Sequence, residues 1–253
     1  MVYPPGQGKS GEYLMQLWRR YLEQFAEHEG DVEAQIVVAS YHAAELFGFL
    51  SLSLDRDRRL RSLILERLET FQEGSRKAEI FDDRLVNATF ALYNHMNTLC
   101  HQFSAGNDSA ESLIRGVDEQ VRARVQQACQ LARSAAALRA AFPLLSLMTL
   151  VLGGGSPATD AIRQVEERFA AASGRAGTDV DHLLNALYRL VEMMQLFVTL
   201  SDVALKDQVQ QIATRFKEED QTPDLQLKLR NGFCRLFELG HLLTTHLDEI
   251  IPD

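Results

Sequence analysis

This chain has little that could cross-link it or take it through a membrane. Its 253 residues hold three cysteines, Cys100, Cys129 and Cys234, with no C-x-x-C spacing. Neither a disulfide framework nor a thiolate zinc site is indicated. No apolar stretch follows the first residues, so no signal peptide is expected. The longest apolar run, Phe142–Leu152, is about half the ~20 residues a membrane helix needs, and Pro143 interrupts it. No transmembrane segment and a cytoplasmic location are therefore expected.

Positive charge is also short. Acidic residues outnumber basic ones 35 to 26, for a net charge of −9, so a nucleic acid held by bulk electrostatics is not an expected partner. Only five of the basic residues are lysine. Catalytic signatures are missing as well. No nucleophile elbow and no dinucleotide loop occur. The opening "PPGQGKSG" ends like a phosphate loop, but a Walker motif would need glycine at Tyr3 and a strand before it. The stretch reads instead as a leader, residues 1–10, ending at Ser10 as a helix cap.

What is present is helical periodicity, with no strand alternation. Cap signals divide the chain: Gly30-Asp31, Gly74-Ser75, a capping box at Asp108 and Glu111, Ser156-Pro157 and Thr222-Pro223. They place helices at 12–29, 32–54, 58–73, 76–104, 108–141, 157–172, 179–200, 201–218 and from 223 to 250. The predicted fold is all-α, a bundle or array of about nine or ten helices without a sheet. Residues 11–253 read as a single helical domain, with a subdivision allowed near 153–157. A faint internal echo links Asp83-Arg-Leu-Val-Asn-Ala88 to Asp181-His-Leu-Leu-Asn-Ala186; chance and duplication both stay open.

Two segments lack charge. Leu85–Asn107 has no ionic residue, and Ala34–Leu54 has only Glu45. A surface helix carries charge on its outer face, so both are expected to lie enclosed at the centre of the bundle. On a helical wheel, Phe81, Leu85, Ala88, Leu92, Met96, Leu99 and Phe103 form an apolar stripe. Opposite it lie Asp83, Asn87, Asn94, Asn97 and His101. That face reads either as a lightly exposed surface or as amides that bind another helix, a partner chain or a small polar ligand.

His42 and Glu45 share a face expected to be buried, where a carboxylate needs a cation, a histidinium or a metal. His95 falls at the edge of the core. The three could form an imidazole–carboxylate metal site, or His42 and Glu45 a purely structural pair. Glu238 and His241 have the Glu-x-x-His spacing, but the wheel turns them away from Leu236, Leu239 and Leu243, toward water. The basic run Arg56, Arg58, Arg59 and Arg61 reads as a solvated helix start or an acidic-partner site.

The leading functional expectation is a non-enzymatic scaffold or regulatory protein that binds another protein or itself. The alternatives are a bundle metal or cofactor protein of oxidoreductase type using His42, Glu45 and His95, and a carrier of an apolar ligand. No cofactor is called for; a metal ion belongs to the first alternative only.

Overall fold

The computed structural model describes residues 9–55, 58, 60–77, 81–103, 115, 157–175, 179–219 and 221–250. Among these, all regular structure is helical. The elements are α1 (Lys9–Glu27), α2 (Val32–Leu54), α3 (Arg61–Lys77), α4 (Phe81–Phe103), α5 (Pro157–Ser173), α6 (Asp179–Ser201), a 3-10 turn (Val203–Leu205), α7 (Lys206–Glu219) and α8 (Leu225–Ile250). That makes eight α-helices in the described residues, against nine or ten expected over the chain. The expected helix at 108–141 and the apolar run Phe142–Leu152 lie outside the described residues, apart from Arg115.

Of the cap signals, Gly30-Asp31 holds, and those at Asp108, Glu111 and Ser156 lie outside the described residues. Asp31 caps α2, its carboxylate accepting from the Ala34 N–H at 3.0 Å. Ser10 lies inside α1 rather than before it. The helix expected from Arg58 begins three residues later, because Arg58 takes a left-handed φ of 57° in the connecting loop. Asp55 organises that loop: its carbonyl accepts from the Arg58 N–H at 3.1 Å and its carboxylate from the Leu60 N–H at 3.2 Å. The cap of α8 is Asp224, which accepts from the Gln226 N–H at 2.9 Å, and not Thr222.

Gly74-Ser75 does not end a helix; α3 runs through it to Lys77. A neighbour explains why glycine stands there. A Cβ at Gly74 would lie 2.5 Å from Asn87 Oδ1 of α4, and Asn87 Nδ2 donates to the Phe71 carbonyl at 3.0 Å and to Ser75 Oγ at 2.7 Å. The pair is a docking point between helices, and its contacts outweigh the helix-breaking tendency of glycine.

The described residues of the two charge-free segments are largely enclosed, as expected. α2 and α4 make the most extensive helix pair, and α2 also touches α1, α3 and α8. From Asn94 to Cys100 every residue of α4 is buried. Ala34–Leu54 is apolar and long enough to cross a membrane by composition alone, but 72% of its apolar window is buried inside the protein, as in a core helix. One apolar core continues from Leu14 and Tyr21 through Phe47, Leu92 and Met96 to Phe197 and Leu243. Each such side chain contributes roughly 1.5–3 kcal/mol on burial.

Candidate functional site

Periodicity puts His42 and Glu45 one turn apart on α2, and both are buried. His42 Nδ1 stands 3.2 Å from Glu45 Oε2, and Arg20 of α1 reaches the same oxygen at 3.6 Å. The other ring nitrogen of His42 meets Gln24 Oε1 at 3.0 Å. The pair is thus engaged with α1 at both ends.

His95 sits elsewhere. It is fully buried rather than at the core edge, and a Cβ at Gly48 would come 3.0 Å from its Nε2 and 2.6 Å from Leu68. Neither ring nitrogen has a hydrogen-bond partner. Burial, with the nearby Arg67 charge added, pushes its pKa down to about 3, so the ring is neutral. Among the described residues no three His, Cys, Asp or Glu side chains group as a metal site. His42 and Glu45 come together; His95 does not complete a ligand set with them.

On the polar face of α4, Asp83 is exposed but the asparagine amides are not a wet surface. Asn94 and Asn97 are buried and Asn87 is half-buried against α3. His101 lies in α4, with its side chain outside the description. Of the basic run, Arg58 and Arg61 are exposed, and Arg56 and Arg59 fall outside the described residues.

Sequence reasoning missed three buried arginines: Arg67, Arg189 and Arg235. Arg67 of α3 donates to the Asn94 carbonyl at 2.8 Å and to Thr98 Oγ1. Arg189 of α6 grips Glu166 of α5, with Nε donating at 3.1 Å, and lies 5.3 Å over the Phe169 ring. Arg235 of α8 holds Glu219 of α7 at 2.8 Å and also binds Glu238. A signal existed: Arg67 continues the apolar spacing of Leu63, Ile64 and Phe71.

Glu238, expected to face water, is buried between Arg215 and Arg235. Burial opposes the charge of Arg235, and Glu238 and Glu219 together outweigh it and hold the guanidinium above its ordinary range. His241 is half-buried, its pKa lowered by desolvation. Cys234 is pushed up to about 11, mainly by burial, and burial also raises Cys100 far above a reactive thiol.

Where α3 crosses α4, these side chains leave a cleft of about 360 Å³. Its floor and walls are Leu63, Arg67, Phe71, Phe90, Ala91 and Asn94, and Glu66, Thr70, Asn87 and Arg115 also line it. Arg115 pairs with Glu66 through both guanidinium nitrogens, at 3.3 and 2.9 Å. That hydrogen bonding, ahead of the Coulomb attraction, keeps the Glu66 carboxyl below its usual range. Two residues of the predicted amide face, Asn87 and Asn94, thus meet at one concavity. A second cleft of about 380 Å³, between α1, α2 and α8, has Glu29, Asp224 and Arg230 among its lining residues. Comparison of the chain with known proteins finds no matching family model, no matching curated protein and no matching solved structure.

Proposed function

We propose that this chain is a non-enzymatic helical scaffold or regulatory protein of the cytoplasm that acts by binding another protein, with the α3–α4 cleft as its recognition site. The observation that carries the reading is the chemistry of the cleft. Arg67, Thr70, Asn87, Asn94 and Arg115 set polar side chains beside an apolar wall of Leu63, Phe71 and Phe90, which is the makeup of a binding pocket. Glu66, the carboxylate among its described lining residues, is kept below its usual range by Arg115, and a general acid at neutral pH needs the opposite shift. Among the described lining residues there is no histidine, cysteine, lysine or tyrosine to serve as base or nucleophile.

Affinity capture with the wild-type chain and an Asn94→Asp variant, both checked for native helix content, tests this. The reading expects at least one protein from the source cells to be recovered by wild type and reduced about tenfold by the variant. Equal recovery of every protein by both baits would move the site away from the cleft. Recovery of no protein by wild type would overturn the reading itself.

A further inference from the structure

Asn94 is 7% exposed. Its carbonyl accepts from Arg67 Nη1 at 2.8 Å and Thr98 Oγ1 at 2.9 Å. Its side-chain oxygen, by contrast, is buried with no hydrogen-bond partner, and the residue lines the α3–α4 cleft. A buried acceptor left unmet costs about 1–3 kcal/mol. Its natural complement is an N–H or O–H donor entering the cleft. Among the described residues, the same concavity is lined by two guanidinium groups, Arg67 and Arg115, and one carboxylate, Glu66. These described groups sum to a positive charge on a chain whose net charge is −9. A guanidinium fork matches a carboxylate in geometry as well as charge. Phe71, Phe90 and Ala91 provide an apolar wall for a short methylene stem. The volume of about 360 Å³ is at the small end of ligand sites, suited to one side chain and its adjoining backbone.

One chemical unit meets all these demands: a glutamate or aspartate within an extended peptide. We propose that the cleft receives such an acidic residue from the partner protein. The carboxylate lies against Arg67 and Arg115, a backbone N–H of the segment donates to Asn94 Oδ1, and the stem packs on Phe71 and Phe90. This inference rests on the binding reading above and names the chemistry of its partner. Arg115 is exposed and already pairs with Glu66, so the incoming carboxylate shares that guanidinium, and the contact weakens as salt rises.

The test uses the full chain and two probe peptides, acetyl-Ala-Glu-Ala-amide and its Gln counterpart, with NMR of the asparagine side-chain amides as readout. The Asn94 signals are assigned by their loss in Asn94→Asp. The glutamate peptide is expected to shift them, to bind at least about fivefold more tightly than the glutamine peptide, and to weaken with added salt. Arg115→Gln, at an exposed position, is expected to reduce binding about threefold with the fold intact. Unmoved Asn94 signals, or equal binding of both peptides, would overturn the proposal. The two ideas fail separately. A cleft-dependent protein partner without a peptide response leaves the binding reading and sinks the acidic residue. A peptide response without any such partner does the reverse.

Discussion

The helix pairs α3–α4 and α5–α6 pack the same apolar register. Ile64 and Phe71 of α3 have identical counterparts in Ile162 and Phe169 of α5, and all four are buried. On the second helix of each pair, both 23 residues long, Ala88, Leu92 and Met96 answer to Ala186, Leu190 and Met194. The polar residues between them differ. Where α4 carries Asn94, His95 and Thr98, α6 carries Glu192, Met193 and Leu196. In α5–α6 a buried guanidinium and its carboxylate, Arg189 and Glu166, lock the two helices together. In α3–α4, Arg67 engages a carbonyl and a hydroxyl, and a cleft stands beside it. The apolar stripe is thus shared, and the intervening polar residues decide whether the crossing is tied by an ion pair or leaves a cleft.

The sharpest way to break the comparison is to remove a charge from each pair. Glu166→Ala leaves the buried Arg189 guanidinium without its carboxylate, and about 3–5 kcal/mol of stability is expected to go. Arg67→Met removes the charge itself and leaves the Asn94 carbonyl still served by Thr98, so a loss nearer about 2 kcal/mol is expected. Urea unfolding of both variants measures the difference; equal losses would erase the distinction between the pairs.

His95 gives the next effect. Its folded pKa of about 3 lies below the ordinary 6.5, so below 6.5 the unfolded chain takes up a proton that the folded chain refuses. The stability tied to the neutral ring is present above pH 6.5 and drains away as pH falls toward 3. On the order of 3 kcal/mol should be lost by about pH 4. His95→Leu should flatten that part of the stability–pH curve; an unchanged slope would mean the ring is not enclosed. Gly232→Ala is expected to cost about 2 kcal/mol, because a Cβ there would lie 2.3 Å from Leu187 Cδ2 where α8 meets α6. Asn87→Ala, which removes two hydrogen bonds between α3 and α4, should cost about 1 kcal/mol and leave α5–α6 untouched. Thermal unfolding checks both.

The helical class and the enclosure of α2 and α4 were legible because absence of charge over some twenty residues is a strong statement about solvent. Helix ends were legible where a side chain caps them, as at Asp31. They were misread at Gly74-Ser75, where the deciding group, Asn87, comes from another helix. Glu238 was misplaced for a related reason. A wheel gives the angle of a side chain about its own axis, and α7 covers that side with Arg215. Asn87 and Asn94 stood out as amides needing partners, but the cleft they share depends on Arg67, Thr70 and Phe71 of α3. No local pattern announces which two helices will cross.

The claim on which the functional account turns is that the partner enters between α3 and α4. A photo-crosslinking benzophenone side chain placed at Thr70, on the exposed edge of the cleft, tests this most directly, with the same group at Leu227 of α8 as control. The account predicts adducts at position 70 that map to an acidic segment of the partner and are lost in Asn94→Asp. Adducts formed only from position 227 would contradict it.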